Sequence, residues 1–210
     1  MKFYVGLALA SNSSTDSGVV VLDDSNNLIL VDKLYKMDDV IHFFDNYSSR
    51  NQSEICISLP WDKTMLEGKW RVLAKPYQLV ATNENMPNQA NWTQRYAMRG
   101  SDYFNQLIEK GAHISRFELY LTRQSMRLNS FYAERSPADC KFLQQTLRTE
   151  WGIDLPTNMM PMSQLEAIVG ALLAKEKDKN PSNIKTLFQF KNVDVIDVKQ
   201  NPHSLISAGQ

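Results

Sequence analysis

The sequence predicts an α/β protein built around one mixed β-sheet. Three observations lead there. Segments 3–10, 18–22 and 28–35 are short, rich in Val, Leu and aromatic residues, and separated by polar turn residues. A fourth segment, Glu54 to Leu59, is almost continuously apolar and closed by Pro60, as suits a central strand covered on both faces. The later half carries apolar residues at helical spacing with recognisable start signals.

Phe3 to Ala10 alternates. Phe3, Val5, Leu7 and Leu9 share one face; Tyr4, Gly6, Ala8 and Ala10 share the other, which becomes small toward its end. Gly18 to Leu22 and Leu28 to Tyr35 flank Asp23-Asp24-Ser25-Asn26-Asn27, turn chemistry that predicts an antiparallel hairpin and so a three-strand meander. A helix follows, capped by Asp38 or Asp39, with Met37, Val40, Ile41, Phe44 and Tyr47 on one face. After the fourth strand comes a polar surface excursion at about 61–115, within which Trp92 to Gly111 reads as a helix. Phe117 to Leu121 alternates and predicts a fifth strand.

Ser136-Pro137-Ala138-Asp139 is a helix start, with Ser at the N-cap and Pro at the first helical position. Cys140, Leu143, Leu147 and Trp151 form its buried stripe. Ser163 opens another helix whose apolar face is Leu165, Ile168, Val169, Leu172 and Leu173. Glu176 to Asn183 reads as a linker, and Ile184 to Phe190 with Val193 to Val198 as a small hairpin around Lys191-Asn192. The expected organisation is a domain over 1–175 and a linker with C-terminal hairpin or tail over 176–210.

The 210 residues carry 23 basic and 23 acidic side chains, so no global field recruits nucleic acid or membrane. The distribution is uneven: the first 60 residues are net −4, residues 61–150 net +4, and eight of the nine arginines lie in that middle third. The two cysteines, Cys56 and Cys140, lack metal-ligand spacing and read as small buried hydrophobes, which suits a reducing compartment. The N-terminus has no signal-peptide pattern and the apolar runs are too short for a bilayer, so a cytoplasmic protein without membrane contact is expected.

Four stretches carry a resemblance to a known superfamily. Val5-Gly6-Leu7-Ala8 resembles a Gly-hydrophobic-Asp opening strand, and Ile57-Ser58-Leu59-Pro60 an "I-D-x-P" strand end. Met98-Arg99-Gly100 through Gly111 to Phe117-Glu118-Leu119-Tyr120 resembles a basic-Gly helix leading to a "V-E-x-Y-P" strand. Glu166-Ala167-Ile168-Val169-Gly170-Ala171-Leu172-Leu173-Ala174 resembles a closing "D-A-x-x-x-A-L-x-A" helix. In this order they resemble the ribonuclease H-like superfamily, and more narrowly a bacterial family of uncharacterised RuvC-related domains. The resemblance spans roughly residues 3–175. It implies a ribonuclease H-like mixed sheet with an antiparallel three-strand meander and helices on both faces.

The departures decide the chemistry. Two-metal phosphoryl transfer needs several carboxylates converging on two cations about 3.5–4 Å apart. Ala8 and Ser58 stand where the family has aspartates, Thr122 replaces a proline, and Glu166 replaces an aspartate. The remaining candidate catalytic residues are Glu118 and Glu166, with Asp16 and Asp62 nearby in sequence. Each has a structural alternative. Ser163 and Glu166 fit a capping box; Glu118 would face solvent or pair with Arg116 or Arg123; Asp62 and Asp16 suit turns. His42, His113 and His203 form no spaced set, and no metal site is expected.

The expected activity is therefore a pseudo-nuclease, a binding or scaffold module without a cofactor. Arg71, Arg95, Arg99, Arg123 and Arg127 are candidate nucleic-acid contacts; with Arg116 and Arg135 they flank the excursion and the fifth strand, where Trp70, Trp92 and Tyr96 are interleaved. Two rivals stand beside it. One is a metal-dependent nuclease or phosphohydrolase that rebuilt its site from Glu118, Glu166 and a loop acid and uses Mg²⁺ or Mn²⁺. The other is a protein-interaction module using residues 184–198.

Overall fold

The structure, a computed structural model, describes residues 2–9, 17–35, 39, 42–43, 45–46, 53–58, 113–190 and 193–199, the side chains of 188–190 excepted. Seven strands form one mixed sheet: β1 (Phe3–Ala8), β2 (Ser17–Leu22), β3 (Leu28–Leu34), β4 (Ser53–Ser58), β5 (His113–Phe117), β6 (Ile184–Phe190) and β7 (Val193–Val198), in the order β3-β2-β1-β4-β5-β7-β6. The meander β1-β2-β3 is antiparallel; β4 and β5 run parallel to β1, and β7 parallel to β5. The expected class, mixed sheet and meander are all present.

Local chemistry explains the meander turn. The Asp23 carboxylate accepts hydrogen bonds from the N–H groups of Ser25 (2.7 Å) and Asn27 (2.9 Å), and Asn26 takes the left-handed conformation at φ 65°. The β1 alternation divides the core as expected. Tyr4 and Ala8 join the cluster on one face with Val20, Leu22 and Cys56, while Val5, Leu7 and Leu9 join the other with Val19, Val21, Ile55 and Ile57. Burial pushes the Cys56 thiol up to about 12, so it is an inert core group.

Three helices are fully described: α1 (Leu119–Ser125), α2 (Pro137–Thr149) and α3 (Met162–Lys179). They pack on the Tyr4 face. On the opposite face Phe43, one of the helical residues between 39 and 46, packs against the second cluster. Helices therefore cover both faces.

The long α3 is the keystone, and two glycines seat it. A Cβ on Gly6 would come within 1.8 Å of the Ala167 carbonyl oxygen, and one on Gly18 within 2.0 Å of the Ser163 carbonyl oxygen. The helix backbone thus lies almost on the sheet, and only glycine permits that approach. Gly18 pairs with Ala8 at the carboxyl end of β1, whereas Asp178 near the helix C-terminus accepts a 2.9 Å bond from the Tyr4 hydroxyl. So α3 runs antiparallel to β1, its first turns over the carboxyl ends of the parallel strands.

Three expectations are corrected. The fifth strand is His113–Phe117 rather than 117–121; the chain turns into α1 directly after it. The stretch 176–183 is not a linker: α3 continues to Lys179 and a 3₁₀ turn covers Pro181–Asn183. Those last α3 residues are cross-links, with Lys177 at 3.3 Å from Glu54 and Lys179 at 2.7 Å from Asp24. The hairpin forms as expected around 191–192, but it adds to the main sheet through β7 and β5. The predicted helix 92–111 and the excursion up to residue 112 lie outside the described residues. No described helix is long and apolar enough to cross a membrane.

Candidate functional site

Strand register brings three of the singled-out positions together. Leu7 pairs with Ile57 in the parallel β1–β4 ladder, so Ala8 and Ser58 are neighbours one residue further on, where both strands end. The Leu9 N–H donates a 2.9 Å hydrogen bond to the Ser58 hydroxyl. Ser58 in turn pairs with Phe117 of β5, so Glu118 follows directly at the third strand end. The carboxyl ends of adjacent parallel strands thus present a methyl, a buried hydroxyl and one carboxylate.

Glu118 is not a strand residue, as its alternating neighbours suggest, but the N-cap of α1. Its carboxylate accepts from the N–H groups of Tyr120 (3.3 Å) and Leu121 (2.7 Å). A helix start has free N–H donors and a positive dipole end, and an acid is a good partner for both. This job holds both carboxylate oxygens against the backbone.

Glu166 also departs from expectation. The capping box with Ser163 does not form: α3 begins at Met162 with Pro161 as its N-cap and no side-chain capping bond. Glu166 is instead buried, 3% exposed, and its Oε2 accepts a 3.1 Å bond from the Arg135 guanidinium. Among the described residues its buried Oε1 has no hydrogen-bond partner. Burial pushes the carboxyl up to about 7, against the pull of Arg135 and Arg123.

Beside it lies a second buried acid that sequence reasoning read only as a first-turn helix residue. Asp139 accepts from Arg123 through both oxygens (2.6 and 3.1 Å), from the Ser130 hydroxyl (2.7 Å) and from the Arg135 N–H (2.9 Å). Burial alone would raise its pKa, but these donors together hold it below the ordinary carboxylate value. The predicted cap of α2 is present: the Ser136 hydroxyl accepts from the Asp139 N–H at 3.2 Å. Arg135, at φ 58°, links the two acids, its backbone bonded to Asp139 and its side chain to Glu166. Nothing local in the sequence signals the Arg123–Asp139 pair, whose members are 16 residues apart.

Of the five arginines expected at a nucleic-acid surface, Arg71, Arg95 and Arg99 lie outside the described residues, as do Asp16, Asp62 and His203. Arg123 is buried, and its guanidinium also donates to the Leu128 carbonyl, so it braces the α1–α2 loop. Arg127 is exposed. Arg116, one of the flanking arginines, is fully buried in β5. His113 and His42 are exposed. Among the described residues no group of three or more His, Cys, Asp or Glu side chains could hold a metal ion.

No family model and no curated protein matches the chain. Among solved structures it is similar to T. thermophilus RuvC in complex with Holliday junction substrate, at 10% identity and a TM-score of 0.43, over 85% of this chain and 96% of that one.

Proposed function

We propose that this chain is a ribonuclease H-like domain that has lost two-metal phosphodiester cleavage and serves as a binding or scaffold module. The observation that carries the reading is that Ala8 and Ser58 each directly follow the last paired residues, Leu7 and Ile57, at the carboxyl ends of adjacent parallel strands, the positions where the resemblance calls for acids. A methyl offers no ligand, and a hydroxyl already bonded to a backbone N–H cannot offset cation charge. The acids that remain nearby are engaged, Glu118 with the start of α1 and Glu166 with Arg135. Divalent ions need several oxygen ligands at once. Titration of the full chain with Mn²⁺, followed by electron paramagnetic resonance, is expected to show no saturable site below millimolar concentration. Two micromolar sites per chain would overturn the reading in favour of a rebuilt nuclease centre.

Nucleic acid is the first ligand class to test. If the arginines of the middle third contact phosphates, binding of single-stranded oligonucleotides falls steeply between 50 and 200 mM salt. Salt-independent binding, or none at low salt, removes nucleic acid as the partner.

One observation favours a second reading, a protein partner at the C-terminal hairpin. Among the described residues β6 is an outer strand of the sheet, with β7 on its inner side. Such an edge presents backbone donors and acceptors to an incoming strand. Deleting 180–210 is not a clean test, because Ile196 of β7 belongs to the core. A lysine at the exposed Thr186 tests the edge while keeping the core: loss of association with an unchanged circular dichroism spectrum supports this reading, and unchanged association refutes it.

A further inference from the structure

The turn between α1 and α2 is firmly braced, yet its tip is left in water. Asp139 in the first turn of α2 accepts from Arg123, from the Ser130 hydroxyl and from the Arg135 N–H. The Arg123 guanidinium also donates to the Leu128 carbonyl, the Tyr132 N–H to the Ser130 hydroxyl at 3.2 Å, and the Ser136 N–H to the Ala133 carbonyl at 3.0 Å. Arg127 and Arg135 stand near the two ends of this turn, both in the left-handed conformation. At its tip Phe131 is fully exposed, and Tyr132 beside it is more than half exposed. Neither ring joins a core cluster. A phenylalanine in water forgoes the free energy that its burial would return. A turn this well tied presents the ring rather than leaving it loose.

The exposed apolar surface continues onto the start of α2. Ala133, Pro137 and Ala138 are exposed as well, and the Ser136–Ala133 bond sets the turn against the helix start. Further along, Gln144 bonds the Asn158 carbonyl and the Met160 N–H, so the exposed Met159 also stands beside α2.

The charges here have one sign. Over α1, the turn and α2, the exposed charged side chains are Arg127, Lys141 and Arg148, all cations, and among the described residues none of them is in an ion pair. Lys141 and Arg148 share the outer face of α2, two helical turns or about 10 Å apart. The acids of the same stretch are withdrawn from the surface: Glu134 is half-buried and Asp139 is buried.

These features select the occupant. Single-stranded nucleic acid needs aromatic platforms with cations tracking a backbone past them, and the aliphatic Ala133, Pro137, Ala138 and Met159 give bases nothing to stack on. Aromatic, Met and Arg side chains around an apolar centre are what protein interfaces concentrate. An anchor fixed before binding loses little entropy on docking. We propose that turn 127–136 and the outer face of α2 form a docking surface for an acidic segment of a partner protein. Phe131 supplies the apolar contact, and Lys141 and Arg148 meet the segment's carboxylates. The inference goes beyond the loss of cleavage and does not rest on it.

The test is nitrogen-15 NMR of the full chain, titrated to millimolar concentration with the N-acetylated, C-amidated peptide Asp-Glu-Phe-Leu-Asp-Glu-Leu. The amide resonances of residues 127–149 are expected to shift saturably. The same peptide with Lys at every acidic position should bind at least tenfold more weakly at matched ionic strength. Phe131→Ala and Lys141→Glu should each weaken binding about tenfold, with an unchanged circular dichroism spectrum because both side chains are exposed. No saturable shift of these resonances overturns the proposal, as does equal binding of the two peptides or undiminished binding by Phe131→Ala. A short oligothymidylate that saturates the same resonances at a tenfold lower concentration than the acidic peptide overturns it in favour of nucleic acid. Phosphatidylglycerol vesicles that do so overturn it in favour of a membrane surface, and shifts that follow protein concentration alone in favour of a second copy of the chain. A failed peptide titration leaves the strand-end reading standing, and metal-dependent cleavage would leave this docking surface untouched.

Discussion

Asp139 and Glu166 are both buried acids, both meet an arginine, and both touch Arg135, yet they end in opposite states. Asp139 receives four hydrogen bonds over its two oxygens and stays ionised below the usual carboxylate range. Glu166 receives one, and burial carries it up to about 7. Their surface exposures are alike, at 1% and 3%, but burial weighs more heavily on Glu166, which lies deeper among other atoms. The number of donors that the described residues deliver separates them as well. Asp139 sits where a loop, a helix start and an arginine fork converge. Glu166 sits inside α3, where Arg135 supplies its one hydrogen bond from the described residues. The first is a structural brace, and the second is a buried acid held by a single bond to Arg135.

The largest effect should come from breaking the brace. Asp139→Ala leaves the Arg123 guanidinium buried with only the Leu128 carbonyl to receive its bonds. Such an orphaned charge costs about 3–5 kcal/mol, read as a lower urea midpoint at an unchanged slope. A loss under about 1 kcal/mol would mean that the pair behaves as a surface ion pair.

Glu166→Gln should act in the other direction. Because the folded pKa is raised from 4.5 to about 7, the folded protein binds more protons than the unfolded chain inside that window. The stability Glu166 contributes is complete below pH 4.5 and is lost as pH rises through about 7. Glutamine removes this dependence. The variant should be more stable than the parent at pH 8 by about 1–3 kcal/mol and about equal to it at pH 4.5. Asp139 gives the opposite limb: its folded pKa is depressed, so its stabilisation is present above the ordinary value of 3.8 and lost as pH falls below it. Stability curves that remain parallel for parent and Glu166→Gln from pH 4.5 to 8 would refute the contrast.

The smallest effect belongs to Arg135→Ala. The Arg135 side chain is 29% exposed, so the lost pair changes stability by about 1 kcal/mol or less. Its clearer signature is electrostatic. Removing the nearest cation should move the Glu166 titration midpoint, followed by carbon-13 NMR, above that of the parent. A lower midpoint would show that Arg135 does not face this carboxyl.

The contrast also shows what a sequence can carry. The face pattern of β1, the Asp23 turn, the Ser136-Pro137 helix start, the apolar face of α3 and the 184–198 hairpin were all legible, because each rests on local period or local capping chemistry. Glu118 was misread because Phe117-Glu118-Leu119-Tyr120-Leu121 alternates apolar and polar residues while the chain crosses from strand to helix. Phe117 and Leu119 are buried either way. Ser163 and Glu166 satisfy the spacing of a capping box, yet Pro161 takes the cap and Glu166 turns to an arginine 31 residues away. Glu176 to Lys179 looked like a linker because its charges are polar, and those charges turn out to fasten α3 to β1, β4 and the meander turn. Long-range partners leave no period to read. The placement of Ala8 beside Ser58 was different again: the residues were visible, but their adjacency, one step beyond the Leu7–Ile57 pair, needed the strand register.

The central claim is that these strand ends no longer support phosphodiester cleavage. Its most direct measurement is a cleavage assay of the full chain on single-stranded, duplex and branched DNA and on RNA, with 10 mM Mg²⁺ or Mn²⁺. No cleavage above the no-enzyme control is expected, with the same result for Glu166→Gln. Metal-dependent cleavage by the parent that disappears in Glu166→Gln would contradict the account and establish a rebuilt catalytic centre.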